Sequence, residues 1–318
     1  MTYVLLIVGF AALIKGADFF VDGASGIAKF FKIPPILIGL TIVAFGTSAP
    51  EAAVSISAAI KGNNGIALGN VIGSNIFNIS VILGITALIF PLDVNKQTMR
   101  KEIPLTLLAG VSLLVLSADA FFKEGQALWL DRADGAILML FFIVFVYYIV
   151  EAGLNSKDSK ENYLPVNEDE TPKIGLNLLY TLGGLAAILI GGNLVVNSSI
   201  EIATSFGISQ TIIGLTIVAV GTSLPELITS VTAARKKNTD IAIGNIVGSN
   251  IFNIFFILGA SAMINPVSVE PKLMVELFIN IALTIVLLAF SRSHNKIVKW
   301  EGAAFILLYL VYMAYLLL

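Results

Sequence analysis

The chain has no cysteine and a single histidine, His294, among its 318 residues. Disulfides, thiolate metal sites and cysteine catalysis are therefore excluded, and zinc or copper sites are disfavoured. Charged residues make up only 13% of the chain, against roughly 25% in soluble domains. The 19 basic and 21 acidic residues give no sign of nucleic-acid binding. No nucleophile with an adjacent base stands out, so we expect neither enzyme chemistry nor an organic cofactor.

The apolar residues, 57% of the chain, lie in long runs. A helix that crosses the hydrocarbon core of a bilayer needs about 20 mainly apolar residues. Ten such runs predict an all-α integral membrane protein with ten transmembrane helices, at 3–22, 35–60, 66–90, 103–120, 133–152, 175–197, 209–234, 241–264, 273–291 and 299–317. We read the first run as a retained helix because it carries Lys15 and Asp18, which could pair, and no clear cleavage site follows it.

Basic residues are distributed unevenly between the predicted loops. Segments after the odd-numbered helices hold fourteen lysines and arginines, and the opposite segments hold four. Lysine and arginine favour the cytoplasmic side of short loops. We therefore expect a multi-pass protein of the cell (inner) membrane with both termini outside.

Two blocks of sequence recur with one offset of 175 residues. Residues 38–51 (IGLTIVAFGTSAPE) and 213–226 (IGLTIVAVGTSLPE) match at 12 of 14 positions. Residues 67–79 (ALGNVIGSNIFNI) and 242–254 (AIGNIVGSNIFNI) match at 10 of 13. The shared offset predicts a duplication, with repeats at 1–152 and 175–318 joined by a polar cytoplasmic linker at 153–174.

Each predicted repeat holds five helices, and an odd number places the second repeat in the membrane with opposite polarity. The distribution of basic residues independently requires the same inversion. Inverted repeats with interrupted helices are the architecture of many secondary transporters. A duplicated scaffold without a transport role is the structural alternative.

The GTSxPE stretches predict a break within a span of each repeat. Pro50 has no N–H to bond the carbonyl of Gly46, and Pro225 has the same effect in the second repeat. Proline also suits the first turn of a new half-helix, whose N-terminus favours a carboxylate. Glu51 and Glu226 are placed there.

Oxygen-bearing side chains recur at helical spacing around these breaks. Residues four apart share a helix face, which groups Thr47 with Glu51, Thr222 with Glu226, Asn70 with Ser74 and Asn78, and Asn245 with Ser249 and Asn253. Hard cations such as Ca²⁺ and Na⁺ prefer oxygen ligands. For Asn70 and Asn245 the spacing fits helix packing as well as ion binding.

Paired carboxylates favour exchange over leak. Two bare carboxylates about 4 Å apart repel by roughly 4 kcal/mol at an effective dielectric of 20, and charge within a membrane is costly in itself. An unloaded site therefore resists crossing the membrane, whereas one calcium, two sodiums or two protons would cancel its charge.

The paired GTSxPE and GNxxGSN motifs resemble the two alpha-repeats of the calcium/cation antiporter superfamily, in particular its sodium/calcium exchanger branch of prokaryotic type. The resemblance covers the whole chain and implies antiport of Ca²⁺ for Na⁺ by alternating access, with helices 1 and 6 sliding across a core of four ion sites. We expect membrane lipid and the transported cations as its partners, and a monomeric protein. The implied metal ligands are the carbonyls of Ala44 and Ala219 and the side chains of Thr47, Glu51, Ser74, Asn78, Thr222, Glu226, Ser249 and Asn253.

One residue departs from the pattern of this branch. Many sodium/calcium exchangers carry an aspartate where this chain has Asn253, so the site has two carboxylates instead of three. The departure puts potassium co-transport and the usual sodium stoichiometry in question and leaves proton coupling open. The glycine-asparagine-alanine-valine-glutamate motif of the proton-coupled branch is absent. A Ca²⁺/H⁺ antiporter, a cation channel and a structural membrane protein remain alternatives.

Overall fold

The computed structural model describes residues 1–62, 64–118, 129–156, 174–207, 219–269 and 271–317. Its α-helices are α1 (Thr2–Phe31), α2 (Pro35–Ile38), α3 (Ala44–Thr47), α4 (Ala49–Ile60), α5 (Asn64–Phe77), α6 (Leu83–Ile89), α7 (Ile103–Ser117), α8 (Arg132–Ser156), α9 (Ile174–Ser205), α10 (Ala219–Thr222), α11 (Leu224–Arg235), α12 (Thr239–Phe252), α13 (Gly259–Ile264), α14 (Pro271–His294) and α15 (Lys299–Leu317). Within these ranges, four π-helical segments continue the helices beside them, at Gly39–Val43, Asn78–Ile82, Thr98–Glu102 and Asn253–Leu258.

The helices follow the predicted apolar runs with two notable extensions. α1 continues to Phe31 and α9 to Ser205, well beyond the expected ends at 22 and 197. The predicted ends were too early because each apolar run stops before the helical backbone does. α8 continues to Ser156, so the first four residues of the predicted linker are helical. Residues 157–173 of that linker and 209–218 of the predicted seventh helix lie outside the described residues.

Both glutamate motifs interrupt a helix, as the prolines predict. α3 ends at Thr47, Ser48 forms the break, and α4 begins with Pro50 in its first turn. The pair Pro35–Thr47 and Ala49–Ile60 is bent by 51°. In the second repeat, Ser223 separates α10 from α11, where Pro225 again lies in the first turn.

Six helices within the described ranges are long and apolar enough to cross a membrane, at Thr2–Phe31, Gly65–Ile89, Arg132–Asn155, Ile174–Ser205, Thr239–Ile264 and Lys272–His294. The bent pair makes a seventh if it counts as one span. Burial separates two of the six from the rest: 72% of the apolar window of 65–89 and 94% of that of 239–264 lie inside the protein, against 39% or less for the others. These two helices form the centre of the bundle. The count of ten spans stays a prediction.

Two short antiparallel ladders, which the all-α prediction did not include, join the loops. β1 (Leu92–Asp93) pairs with β4 (Lys296–Ile297), and β2 (Trp129–Leu130) pairs with β3 (Val267–Ser268). Each ladder buries an apolar pair, Leu92 with Ile297 or Leu130 with Val267. They satisfy backbone groups of segments that connect helices and therefore lack intrahelical bonds.

An ion-pair group links α1 to α11. The expected pair of Lys15 and Asp18 is present at 3.9 Å, and Lys236 lies 2.8 Å from Asp22 and 3.5 Å from Asp18. The Nζ of Lys236 also donates to the backbone carbonyl of Asp18 at 2.8 Å. Asn193 occupies the position 175 residues after Asp18, so the carboxylate of this group is not repeated in the second half.

Glycines allow α1 and α9 to pack with their backbones in close approach. A β-carbon on Gly16 would lie 2.9 Å from the carbonyl oxygen of Gly184, and one on Gly184 would lie 2.5 Å from the backbone nitrogen of Phe20. Gly9 and Gly191 approach each other in the same way further along the two helices. Small residues at helix interfaces are a common means of association in membranes.

Substitution of Gly184 by valine is expected to destabilise the protein. The added side chain would meet α1 backbone, and overpacking of this kind costs about 1–3 kcal/mol. Thermal unfolding in detergent, followed by size-exclusion chromatography, measures the effect. The matched control is Gly183→Val on the same helix, where an added β-carbon meets nothing within 4 Å in the described structure. An equal loss of stability in both variants would contradict the packing assignment.

Candidate cation site

The helix breaks place two carboxylates in the interior of the bundle. Glu51 lies in the first turn of α4 and Glu226 in the first turn of α11. Each is 1% exposed. The positive end of a helix dipole favours negative charge in its first turn.

Each carboxylate is held by a serine of the opposite repeat. Ser48 donates its hydroxyl hydrogen to Glu226 Oε1 at 2.9 Å, and Ser223 donates to Glu51 Oε1 at 3.0 Å. All four residues are buried. The offset of 175 residues converts Ser48 into Ser223 and Glu51 into Glu226, so the two bonds are equivalent to one another and the repeats contact each other at their breaks.

Asparagines fix the broken turns to the central helices. Asn245 on α12 donates to the Glu226 carbonyl at 3.3 Å and to Ser230 Oγ at 2.9 Å. Its Oδ1 accepts from Thr47 Oγ1 at 3.0 Å. Asn70 repeats the first two bonds in the other half, to the Glu51 carbonyl at 3.4 Å and to Ser55 Oγ at 3.0 Å. These contacts give Asn70 and Asn245 a packing role.

Four asparagines from the two GSNIFN blocks form a second cluster. Asn78 Nδ2 donates to Asn250 Oδ1, and Asn253 Nδ2 donates to Asn75 Oδ1, both at 3.0 Å. Asn78 and Asn253 are the first residues of π-helical segments. The segment at Asn78 packs against α11, and the one at Asn253 packs against α4. The cluster therefore lies beside the helices that carry the two glutamates.

Several buried oxygens in this region lack a hydrogen-bond partner within the described part of the chain. They are Glu51 Oε2, Glu226 Oε2, Asn78 Oδ1, Asn253 Oδ1 and Ser249 Oγ. A buried acceptor without a donor is costly, more so when it carries charge. A cation that these oxygens coordinate would supply the missing interaction.

Most of the residues predicted as ligands come together in this interior region. Each of Thr47, Glu51, Asn78, Glu226 and Asn253 makes one of the buried bonds described above. Ser74 on α5 and Ser249 on α12 lie one turn before the two asparagines. Thr222 ends α10 directly before the second break, and Ala219 begins that helix. That they bind ions stays a prediction.

The carbonyl of Ala44, which the family resemblance implies as a ligand, has donors within the protein. The carbonyl of Ala44 keeps the helical bond from the Ser48 N–H at 3.0 Å and also accepts from the Thr47 hydroxyl at 3.4 Å. It is not left without a donor by the proline break. The Thr47 hydroxyl has one hydrogen, and its contact with Asn245 Oδ1 at 3.0 Å is the shorter of its two. When Thr47 bonds Asn245, the second lone pair of the Ala44 oxygen is left for an ion.

The sequence interpretation missed four residues that the structure brings into the region. Ser48 and Ser223 bond the carboxylates, and Asn75 and Asn250 bond the predicted asparagine ligands. All four are identical at the 175-residue offset within the matched blocks. That identity was the available signal, but helical spacing from Glu51 or Asn78 does not select these residues.

An apolar bundle around buried, oxygen-rich groups defines a class of protein. Ionisable residues within membrane helices are costly and mark ion or substrate pathways. The described residues contain no group of three or more histidine, cysteine or acidic side chains that could hold a resident metal ion. The fold and the region together are those of a membrane cation transporter.

Comparison with known proteins identifies the family. A family model described as sodium/calcium exchanger protein matches residues 1–150 and 176–318. The chain is 38% identical to the inner membrane protein YrbG of Escherichia coli over 84% of this chain and 81% of that protein. It is 35% identical to the sodium/calcium exchanger MaX1 of Methanosarcina acetivorans over 99% of this chain and 98% of that protein.

A solved structure supports the same assignment. The sodium-calcium exchanger NCX_Mj, soaked with 2.5 mM Na⁺ and 0.1 mM Ca²⁺, matches with a TM-score of 0.85 at 32% identity, over 98% of this chain and 97% of that one. The chain belongs to the sodium/calcium exchanger family. It is a membrane transporter that exchanges cations, not an enzyme.

Replacement of Asn245 by alanine is expected to lower stability. The change removes bonds to Thr47, Ser230 and the Glu226 carbonyl, and each buried group left unpaired costs about 1–3 kcal/mol. Thermal unfolding in detergent without added calcium measures the loss. Ser261→Ala is the control, because the Ser261 hydroxyl is buried without a partner among the described residues. A loss no larger than the control's would contradict the role of Asn245.

Proposed function

We propose that the protein is an antiporter that exchanges Ca²⁺ for Na⁺ across the cell membrane by alternating access. The observation that carries this proposal is the pair of buried glutamates, each bonded by a serine of the other repeat and each with one oxygen free of protein donors in the described structure. Relatives named as sodium/calcium exchangers support the choice of ions.

The proposed ligands all offer oxygen. Glu51 and Glu226 would bridge a central calcium, with Asn78 and Asn253 beside them. Flanking sodium sites would use hydroxyls and backbone carbonyls. The full set is Ala44, Thr47, Glu51, Ser74, Asn78, Ala219, Thr222, Glu226, Ser249 and Asn253. Calcium takes six to eight such ligands in flexible geometry, and the unpartnered oxygens suit that requirement.

Charge balance supplies the reason for coupled exchange. Glu51 and Glu226 give the site two negative charges when both are ionised, in a region that is nearly free of solvent. One calcium or two sodiums would neutralise that charge, and an unloaded site would resist passage through a low-dielectric state. A channel needs no such condition, so the paired carboxylates favour an antiporter.

Repeat symmetry supports alternating access. We infer that the halves 1–152 and 175–318 are inverted, with both termini outside and the 153–174 segment in the cytoplasm. The serine–carboxylate bonds and the Asn75–Asn250 contacts are reciprocal between the halves, as expected where two similar units meet around one site. Architectures of this kind open one central site to either side of the membrane in turn. The transporter would act as a monomer surrounded by lipid.

Asn253 distinguishes the proposed site from that of exchangers that carry a third carboxylate. An amide there leaves the site with two negative charges, which two sodiums balance as well as one calcium does. Two protons would also balance them, so Ca²⁺/H⁺ exchange is the second candidate. The family match and the absence of the proton-branch motif favour sodium.

Uptake of radioactive calcium into proteoliposomes tests the proposal. An outward sodium gradient at matched membrane potential is expected to drive calcium accumulation, and an outward proton gradient alone is not. Uptake that follows only the proton gradient would establish the second candidate. Calcium entry that is independent of either gradient would identify a channel and contradict antiport.

Glu51→Gln and Glu226→Gln are each expected to abolish calcium accumulation. Loss of one unit charge at about 4 Å removes roughly 4 kcal/mol of attraction per unit of ion charge at an effective dielectric of 20. Because 1.4 kcal/mol is a factor of ten, calcium affinity is expected to fall by at least about a hundredfold. Ser48 and Ser223 can still donate to the glutamine carbonyl, so folding is retained.

Glu102→Gln is the matched control for these two variants. Glu102 is also fully buried, but it bonds to Tyr148 and Gln97 away from the helix breaks. Its variant is expected to transport calcium normally. If Glu51→Gln or Glu226→Gln transported calcium at the wild-type rate, that result would contradict a calcium site built on the two carboxylates.

A further inference from the structure

In the four-asparagine cluster, contacts with backbone carbonyls determine which side-chain amides donate hydrogen bonds and which accept them. Asn75 Nδ2 lies 3.1 Å from the backbone carbonyl oxygen of Asn250. A carbonyl oxygen only accepts, so the amide group of Asn75 must point its nitrogen there and its Oδ1 the opposite way. Asn250 has the reciprocal arrangement, with its Nδ2 3.5 Å from the carbonyl oxygen of Asn75.

The orientation of the Asn75 and Asn250 amides determines the orientation of the amides of Asn253 and Asn78. The Oδ1 of Asn75 points away from the Asn250 carbonyl and can only accept a hydrogen bond. Asn253 Nδ2 donates that bond at 3.0 Å. Asn250 Oδ1 accepts from Asn78 Nδ2 at the same distance. Because their nitrogens are engaged, Asn78 and Asn253 must turn their Oδ1 atoms the other way.

Those two oxygens are the ones that lack donors. Asn78 Oδ1 and Asn253 Oδ1 are buried and have no hydrogen-bond partner within the described ranges. All four asparagines are at most 1% exposed, so bulk solvent does not reach these contacts. Were either amide reversed, an NH₂ group would take the place of the unpartnered oxygen and could not bind a cation.

We propose that Asn75 and Asn250 are positioning residues for ion binding: across the interface between the repeats, each holds the amide of Asn253 or Asn78 so that its oxygen faces the ion. Neither residue contacts the ion itself. Groups that orient metal ligands in this manner typically change metal affinity by about 10- to 100-fold when removed. The inference rests on the proposed function, which assigns Asn78 and Asn253 as ligands.

The cross-repeat arrangement also accounts for the residue type at Asn253. The NH₂ group of an asparagine amide can donate to Asn75 Oδ1 while the amide oxygen stays free of donors and binds a cation. An ionised aspartate at this position would place an acceptor against Asn75 Oδ1, which is unfavourable. The neighbour Asn75 therefore favours asparagine at position 253 in this chain.

The test compares Asn75→Ala and Asn250→Ala with the wild-type protein in the proteoliposome assay and by calorimetric titration with Ca²⁺ alone in detergent. Each variant is expected to raise the KM and Kd for calcium on the order of tenfold or more, with little change in kcat. Thr86→Val is the control. Thr86 is fully buried in α6, which continues the span of α5 that carries Asn75, and its hydroxyl bonds only the Ile82 carbonyl in the described structure. Its calcium affinity is expected to equal that of the wild type.

A double variant separates positioning from packing. In an Asn253→Ala background, the addition of Asn75→Ala is expected to raise the calcium Kd no further, because the group that Asn75 orients is already absent. An equal rise in both backgrounds would show independent contributions and overturn the inference. If Asn75→Ala does not purify as a folded protein, Asn75→Leu keeps the number and branching of the side-chain heavy atoms and removes the same bonds.

The outcomes distinguish this inference from the proposed function. Wild-type protein that binds calcium while both asparagine variants bind it equally well would overturn the positioning role alone. Wild-type protein that neither binds nor transports calcium would overturn the proposed function and this inference together. A rise in KM confined to Asn75→Ala and Asn250→Ala, absent from Thr86→Val, would support both.

Discussion

Polar groups inside a hydrocarbon-facing bundle must find their partners within the protein, and the centre of this structure is arranged around that requirement. Backbone groups at membrane depth need partners within the protein, and the carbonyls of Glu51 and Glu226 accept from Asn70 and Asn245 of the same repeat. Each break supplies the hydroxyl that the opposite glutamate needs. The helix breaks, which would be destabilising alone, become the contact surface between the two halves.

Packing follows from the same requirement. Gly39 and Gly244 let their two backbones approach so closely that a β-carbon on Gly244 would lie 2.9 Å from Gly39 Cα. A β-carbon on Gly248 would lie 2.8 Å from Leu40 Cα. This contact brings the Gly39–Thr47 segment against α12 and thereby places Thr47 beside Asn245. Close helix packing and the geometry of the polar centre are therefore consequences of the same small residues.

Reciprocity between the repeats is strong at the centre and weaker at the periphery. The bonds of the glutamates, Asn70 and Asn245, and the asparagine cluster recur at equivalent positions. The ion pairs of Lys236 with Asp18 and Asp22 involve acids that the second repeat replaces with Asn193 and Asn197. The contact between the repeats constrains both of them at the centre, whereas the residues of the ion-pair group lie outside that contact.

Much of this protein was determined by its sequence alone. Scarce charge and long apolar runs require membrane helices, and the proline in each GTSxPE stretch requires a break that leaves Glu51 and Glu226 in a first turn. These are local effects of solvent and backbone chemistry, so they can be read without a fold. Only the tertiary structure decided which residues satisfy the buried groups. Ser48, Ser223, Asn75 and Asn250 act across the interface on residues that lie 172 to 178 positions away. Helical spacing describes one helix at a time and cannot specify a contact between helices, because that contact depends on how close the backbones come and how the helices are rotated.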